Sequence, residues 1–434
     1  MQVSVESTHG LERKMTVEVP AERIDKEVQN RLVSMAKKAK VHGFRPGKVP
    51  FSVVERQFKD QVQSDVINEV MQSSFYEALA QEKLLPAGAP SIEPISRTPG
   101  QALSYTATFE VYPEIGLASL DNVEIDKPAA QITEQDIDNV IETIRKQRVE
   151  WIVVDREAKP GDQVRIDFHG TIDGEVFQGN EGKDVPIEIG AKRMIAGFEE
   201  QLEGIKAGDQ RILELNFPED YQRKELAGKL VKFDVKANAV EEAKLPEINE
   251  EFCRNLGIED GNMEKLRSEV RDNMQREMEE KIKSVTKQNV MSKLLEINQI
   301  QIPNSLVDKE IQALASRNLG ELSEQKKLDK NQLEAMFSTE AKRRVTLGLV
   351  LSEIAKQNNI KAEPTKVRQL VENIASTYEK PQEIVQWYYA DKRHLGEIES
   401  LAVENEVVDW VLGHAIVKET STTFDALMNP GQTK

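Results

Sequence analysis

Apolar and polar positions alternate along the first 19 residues of the chain, with a break at His9-Gly10. A period of two is typical of strands with one buried face, so this segment is predicted to form a β-hairpin. From Pro20 the apolar period lengthens to that of a helix, which is predicted to end near Lys40. The apolar positions that define these elements are Val3, Val5, Met15, Val17, Val19, Ile24, Val28, Leu32 and Met35.

A second helical pattern follows Pro50, and an alternating strand pattern occupies residues 103–111. Helices between strands at both ends of a segment predict an α+β domain, which we place at residues 1–112. Residues 113–150 are predicted to be a connector, with an extended piece from Val123 and a helix that starts with a capping sequence at Thr133.

Strand spacing returns between residues 151 and 245, with frequent glycine and proline breaks. Alternation from Val164 predicts one strand, and Asp173-Gly174 is a hairpin turn signal. A short helix is predicted from Met194 to Leu202. These features predict a second α+β domain at residues 151–245.

Residues 246–434 show helical periods almost throughout, broken at Ile302-Pro303. Helices are predicted over residues 266–285, 306–314, 333–354, 367–378 and 403–417. The tail from Lys418 carries a Thr/Ser cluster and then Asn429-Pro-Gly, so it is predicted to fray. The fold class is therefore α+β multidomain, with an all-α C-terminal domain.

Composition excludes several kinds of site. Cys253 is the only cysteine, so an internal disulfide and a multi-thiolate metal site are excluded. The five histidines show no metal-ligand spacing, and no phosphate-binding glycine motif is present. We therefore predict no metal, no cofactor and no use of ATP.

Charge and hydropathy indicate the cellular compartment and the classes of partner that are expected. No apolar run approaches the ~20 residues that span a bilayer, and the N-terminus lacks the pattern of a secretory signal. A cytoplasmic protein without a membrane partner is expected, although a missing signal also fits a mature chain. The net charge of −17 disfavours general nucleic-acid binding, so any contact with RNA is expected to be local.

One local reversal of charge lies between residues 29 and 50. This window holds no acid, and its basic residues are Arg31, Lys37, Lys38, Lys40, Arg45 and Lys48. The glycines and prolines of the segment 43–50 favour a defined turn, and Phe44 stands beside Arg45 within it. Composition alone leaves two interpretations: an ordinary turn between helices, or a loop that recognises a partner through an exposed aromatic and cations.

The pattern Gly43-Phe-Arg-x-Gly-x-x-Pro50 after a basic helix resembles the signature of the trigger factor family. The resemblance covers the whole chain and implies an ATP-independent chaperone that docks on the large ribosomal subunit, on protein and RNA beside the tunnel exit, and binds nascent chains. The residues it implies for docking are Gly43, Phe44, Arg45 and Lys48. The family tip usually reads Phe-Arg-Lys, and this chain has Pro46 at the third position.

The middle domain resembles the FK506-binding type of peptidyl-prolyl isomerase. The resemblance rests on the runs that begin at Asp167, Val176, Pro186, Met194, Gly204, Phe217 and Val231. It implies a substrate pocket with Phe198 as the floor beneath the proline ring and a backbone N–H of Ile195 available to a carbonyl. The pocket residues that it implies are Phe168, Phe177, Ile187, Met194, Ile195, Phe198, Tyr221 and Phe233. Phe198 replaces the usual tryptophan, and Gln178 replaces a common aspartate.

Two functional hypotheses stay open at this point. The first is a ribosome-associated chaperone with isomerase activity, for which the family implies a homodimer off the ribosome and roles in cell division and protein export. The second is a plain prolyl isomerase whose flanking domains serve dimerisation or localisation. A periplasmic isomerase-chaperone is a third possibility, against which the N-terminus argues.

Overall fold

The computed structural model describes residues 1–37, 44, 49–96, 101–221, 223–319 and 329–431. They form two compact units, the first built from Met1–Lys127 and Ser284–Thr420 and the second from Pro128–Lys283 and Ser421–Lys434. The strands are β1 (Gln2–Ser7), β2 (Glu12–Val19), β3 (Ser91–Ser96), β4 (Leu103–Glu110), β5 (Glu124–Ala129), β6 (Glu150–Val154), β7 (Gln163–Thr171), β8 (Glu181–Glu188), β9 (Gln210–Asn216), β10 (Leu230–Lys244) and β11 (Ile416–Ser421). The helices are α1 (Ala21–Ala36), α2 (Phe51–Glu82), α3 (Glu134–Gln147), α4 (Phe198–Leu202), α5 (Glu250–Asn255), α6 (Met263–Ile297), α7 (Asn304–Leu319), α8 (Lys330–Gln357), α9 (Pro364–Ala375), α10 (Pro381–Ala390), α11 (Lys392–His414) and α12 (Phe424–Met428).

The N-terminal part of the first unit is a sheet in the order β1-β2-β4-β3 with α1 and α2 packed against it. Met15, Phe75 and Tyr105 are buried in its core, because the alternating face of each strand meets the apolar stripe of each helix. The hydroxyl of Tyr105 satisfies its hydrogen bonding inside the core through Ser74 Oγ, at 2.8 Å.

The helical part of the first unit is joined to that sheet at the start of α7. The carboxylate of Glu110, at the end of β4, accepts hydrogen bonds from the backbone N–H groups of Asn304 and Ser305 at 3.0 and 2.7 Å. Burial alone would raise the pKa of Glu110, but these N–H donors outweigh it and hold that pKa below its ordinary value. The start of α7 is therefore tied to the N-terminal sheet.

The second unit is built on a five-stranded antiparallel sheet in the order β6-β10-β7-β8, with β9 pairing to β10. Its core lies on the face that carries Val164 and Ile166 of β7, with Phe198 and Leu202 of α4 packed over it. A separate apolar cluster in the same unit joins α3, α5 and the first turns of α6, and Ile137 is fully buried within it.

The structure confirms the α+β class of both sheet-containing regions and the helical character of the C-terminal region. It also confirms the first hairpin, the capping box at Thr133 and the turn at Asp173-Gly174, where both residues have positive φ. The break at Ile302-Pro303 separates α6 from α7 as predicted.

The structure corrects several predicted helix boundaries and the predicted fraying of the tail. The first helix ends at Ala36 rather than near Lys40, and the short helix starts at Phe198 rather than Met194 because Gly197 is left-handed (φ 88°). The last long helix ends at His414, so residues 415–417, which were predicted to be helical, are not. The tail does not fray over its described residues: β11 pairs with β5, and Leu427 of α12 is buried. The C-terminal region is thus helical apart from β11.

Candidate functional site

A cavity of about 450 Å³ opens on the sheet of the second unit. Its walls come from β7, β10, α4 and the three loops that precede β8, α4 and β10. A volume in this range is typical of sites for small ligands or single side chains. The residues that line it are Phe168, Phe177, Gln178, Gly179, Met194, Ile195, Phe198, Phe217, Tyr221, Arg223, Leu226 and Phe233.

Aromatic rings make up half of this lining, and neighbouring rings meet edge to face except for Tyr221, which is tilted at 48° against Phe217. The ring of Phe233 lies 5.4 Å from that of Phe198 and 5.8 Å from that of Phe168, with interplanar angles of 76° and 78°. Phe177 and Tyr221 flank Phe217 at 6.0 and 4.7 Å. Edge-to-face contacts hold aromatic rings in defined orientations, so the cavity has a rigid apolar wall.

Two glycines make room for these rings. A Cβ on Gly170 of β7 would lie 2.6 Å from Cε1 of Phe233, and one on Gly182 of β8 would lie 2.6 Å from Cε1 of Phe168. Real Cβ atoms do not approach other atoms so closely, so only glycine fits at either position without moving a ring. The sheet itself is therefore shaped around the aromatic wall.

The polar rim of the cavity is joined across its mouth. The Arg223 guanidinium donates to the backbone carbonyl of Gln178 at 2.5 Å and to its side-chain Oε1 at 3.1 Å. This bidentate contact links the loop before β8 to the loop before β10. Gln178, which replaces the aspartate expected from the resemblance, thus supports the rim through an uncharged contact.

The chemistry open to this cavity follows from what lines it. Among its described residues there is no carboxylate, histidine, cysteine, serine or threonine. Of the residue types used in nucleophilic or general acid–base catalysis, this lining offers only the hydroxyl of Tyr221. An apolar cavity instead favours a state with less charge separation, such as an amide twisted out of resonance.

The segment between α1 and α2 carries the predicted docking residues. Phe44 lies in a bend and 41% of its surface is exposed. Gly43, Arg45 and Lys48, like Pro46, lie outside the described residues. Arg31 of α1 makes a bidentate ion pair with Glu69 of α2 at 3.0 and 3.1 Å, so its charge is balanced, while Lys37 is exposed.

Comparison with known proteins accounts for the whole chain. Residues 1–144 match the family "Bacterial trigger factor protein (TF)", and residues 262–413 match the C-terminus of the same family. Residues 154–238 match the "FKBP-type peptidyl-prolyl cis-trans isomerase" family. The trigger factor of Pseudomonas syringae is 44% identical over 99% of this chain and 98% of its own length. That of Azotobacter vinelandii is 44% identical over 100% of this chain and 99% of its own length.

The chain belongs to the trigger factor family. It is a trigger factor chaperone with an FKBP-type domain, and that domain makes it a peptidyl-prolyl cis-trans isomerase. A solved trigger factor chaperone structure, from work on promiscuous substrate recognition in folding and assembly, covers 95% of this chain and 99% of its own. Its TM-score is 0.53 and its identity is 17%, which shows a shared fold.

The FKBP-type domain of this trigger factor brings together seven of the eight predicted pocket residues: Phe168, Phe177, Met194, Ile195, Phe198, Tyr221 and Phe233. Ile187 is the exception. It pairs with Val164 in the sheet and is buried in the core, so it does not line the cavity.

The lining residues that the sequence did not predict are Gly179, Phe217, Arg223 and Leu226. Phe217 stands in a run that carried the family resemblance, and its aromatic character was the available signal. Arg223 had no such signal, because its role depends on the distance between two loops.

No group of three or more His, Cys, Asp or Glu residues that could hold a metal ion lies in the part of the chain that the structure describes. Within that same part, no helix is both long and apolar enough to cross a membrane.

Proposed function

We propose that this trigger factor docks on the large ribosomal subunit at the tunnel exit and holds emerging chains without ATP, while its FKBP-type domain isomerises X-Pro bonds. The observation that carries the docking proposal is the exposure of Phe44 at the bend between α1 and α2. It stands beside Arg45 and near Lys48 on a chain whose net charge is −17.

Two features of the loop support docking: an exposed aromatic ring, and positive charge on a chain whose net charge is negative. An exposed aromatic next to an arginine is the composition of an interface hot spot. The guanidinium can grip a carboxylate or a phosphate with two hydrogen bonds, and Lys48 adds a second cation. Since the rest of the molecule repels phosphates, such a loop would confine contact with ribosomal RNA to one place.

Ribosome co-sedimentation tests the docking proposal. We expect the triple variant Phe44→Ala, Arg45→Ala, Lys48→Ala to bind purified ribosomes at least about tenfold more weakly, since about 1.4 kcal/mol of lost contact suffices. The matched control is Arg56→Ala, Lys59→Ala, Tyr76→Ala, which also removes one exposed aromatic and two cations, all on α2. Undiminished binding by the first triple variant would refute docking through this loop.

Client holding is supported by exposed apolar side chains in the helical part of the first unit. Tyr378, Trp387 and Tyr389 are 53%, 51% and 47% exposed around α9 and α10. Many weak contacts spread over a surface suit transient holding, because no single contact must offset the ordering of an unfolded client. No phosphate-binding glycine motif occurs in the sequence, which fits release without ATP.

In the isomerase site, we assign Phe198 to the floor beneath the substrate proline ring and the Ile195 N–H to the substrate carbonyl. The barrier to rotation about an X-Pro bond, about 18–20 kcal/mol, comes from amide resonance. The transition state has lost that resonance and its charge separation, so the aromatic wall binds it better than it binds the planar amide. This assignment is supported by the position of Phe198 in the cavity lining, where its ring meets that of Phe233 edge to face at 5.4 Å.

Further properties of the family are part of the same proposal. We place the domain limits at residues 1–112, 113–150, 151–245 and 246–434, and the protein in the cytoplasm. A homodimer off the ribosome is expected as well, and sedimentation of the purified chain across concentrations measures it. Roles in cell division and protein export stay predictions from the family.

A further inference from the structure

Glu199 is a buried carboxylate that the isomerisation mechanism described above does not use. Only 4% of its surface is exposed, although it stands directly after Phe198. Its Oε2 accepts the backbone N–H groups of Gly190 and Lys192 at 3.0 and 2.8 Å. Its Oε1 accepts those of Arg193 and Met194 at 2.7 and 3.0 Å. One side chain therefore holds four N–H groups of the loop between β8 and α4.

The backbone of that loop adopts an unfavourable conformation at two residues. Gly190 has φ of 90° and Lys192 has φ of 55°, and a non-glycine residue in the left-handed region is strained. Without hydrogen-bond acceptors for its N–H groups, this strained conformation of the loop would not be stable. The hydrogen bonds to Glu199 offset the strain, since bonds to a charged acceptor are among the stronger ones in proteins.

The backbone N–H groups that donate to Glu199 end one residue before Ile195, which lines the cavity. The last of these four donors is the N–H of Met194. Among the described residues, the Ile195 N–H makes no hydrogen bond within the protein. The carboxylate thus occupies the neighbouring donors, while the Ile195 N–H stays unused within the described part of the chain.

We propose that Glu199 is a positioning residue for prolyl isomerisation: it fixes the loop of residues 190–194 so that the Ile195 N–H and the Met194 side chain face the substrate. This role rests on the proposed site, because it acts through Ile195. Glu199 itself does not line the cavity.

The carboxylate is the group that this role requires. A carboxylate offers two oxygens and about four acceptor sites, which matches four donors. A glutamine in its place offers one oxygen and turns an NH2 group toward two N–H donors. Burial alone would raise the pKa of Glu199, but the four N–H groups outweigh it, so that pKa lies below its ordinary value and the group stays charged at neutral pH.

The experiment compares Glu199→Gln with two controls in the full-length chain. Glu200→Gln changes the adjacent, exposed glutamate, and Asp162→Asn changes another buried carboxylate of the same domain, 4% exposed, whose side chain binds Arg156 and the Lys159 N–H rather than the loop before α4. Isomerisation of a proline peptide is followed by NMR exchange, with local stability from hydrogen exchange of the β7 amides. Asp162→Asn shows how much activity is lost through destabilisation alone.

We expect Glu199→Gln to lower kcat at least roughly tenfold while KM changes by less than about threefold, because the donor acts on the twisted amide more than on the planar one. Its amide signal for Ile195 shifts, whereas neither control moves that signal. Equal losses of activity in Glu199→Gln and Asp162→Asn at equal loss of stability would overturn the positioning role.

A further arm separates failure of this role from failure of the site. Phe177→Ala truncates a half-buried wall residue and Val176→Ala its exposed neighbour. If Phe177→Ala loses activity and Glu199→Gln does not, the site stands and the positioning role is wrong. If Phe177→Ala keeps full activity, the proposed site is wrong, and the role of Glu199 with it.

Discussion

Gly170 lies directly opposite Phe233 in the pairing of β7 with β10, and Cε1 of Phe233 lies too close to the position of a Cβ on residue 170 for any side chain there. The distance from that position to Cε1 is 2.6 Å, and Cζ of Phe177 is 3.2 Å away. Phe233 in turn contacts Phe168 and Phe198 edge to face. A single backbone position therefore sets where the aromatic wall of the isomerase cavity lies.

Replacing Gly170 by alanine tests this relationship. Phe233 is buried against two other rings, so it can move only by displacing them, and overpacking of this kind typically costs about 1–3 kcal/mol. We expect kcat/KM for a proline peptide to fall by roughly tenfold, which corresponds to about 1.4 kcal/mol. The matched change is Gly116→Ala, where an added Cβ meets nothing within 4 Å. Full activity in Gly170→Ala would show that the wall tolerates displacement.

Asp162 gives the isomerase domain a defined dependence on pH. Its carboxylate is hydrogen-bonded by the Arg156 guanidinium, with Nη2 at 2.9 Å from Oδ1, and by the Lys159 N–H. The Arg156 hydrogen bond is the largest cause that holds the pKa of Asp162 below its ordinary value, against the opposing effect of burial. A depressed pKa in the folded state contributes stability above the unfolded pKa of about 3.9, and that contribution is lost as pH falls through the folded value.

We therefore expect Asp162→Asn to reduce the free energy of local unfolding around β7 by about 2 kcal/mol at pH 7, since it removes hydrogen bonds between charged groups. The difference from the unsubstituted chain should shrink below about pH 4, where the carboxyl takes up its proton. Hydrogen exchange of the β7 amides at several pH values measures both. Asp234→Asn changes an exposed carboxylate of β10 and should leave these amides unaffected. A difference that stays constant down to pH 2 would contradict the assignment.

Much of the fold is local in origin and could be predicted from sequence. The strand alternation of β4, the proline start of α1 and the capping box of Thr133 each depend on residues a few positions apart. The start of α4 follows instead from the left-handed backbone of Gly197 (φ 88°), which the apolar pattern around Met194 does not reveal. The tail looked polar enough to fray, but β11 finds its partner in β5, nearly 300 residues earlier in the chain.

The candidate site also has features that the sequence predicts and features that depend on contacts between distant segments. The family pattern identified the aromatic wall because its members recur in a fixed order along the chain. Ile187 was misplaced because alternation along β8 points it into the core beside Val164. The contact of Arg223 with Gln178 and the space that Gly170 leaves for Phe233 arise only when distant segments meet.

The central claim is that client holding and isomerisation reside in different parts of this trigger factor. The most direct measurement follows both activities on one variant, Phe177→Ala, beside Val176→Ala, which changes an adjacent side chain that is 70% exposed. We predict that Phe177→Ala loses at least about tenfold in kcat/KM for a proline peptide, yet suppresses aggregation of a chemically unfolded protein within about twofold of the unsubstituted chain. Loss of both activities together in Phe177→Ala, with both retained in Val176→Ala, would contradict the account and favour a plain isomerase.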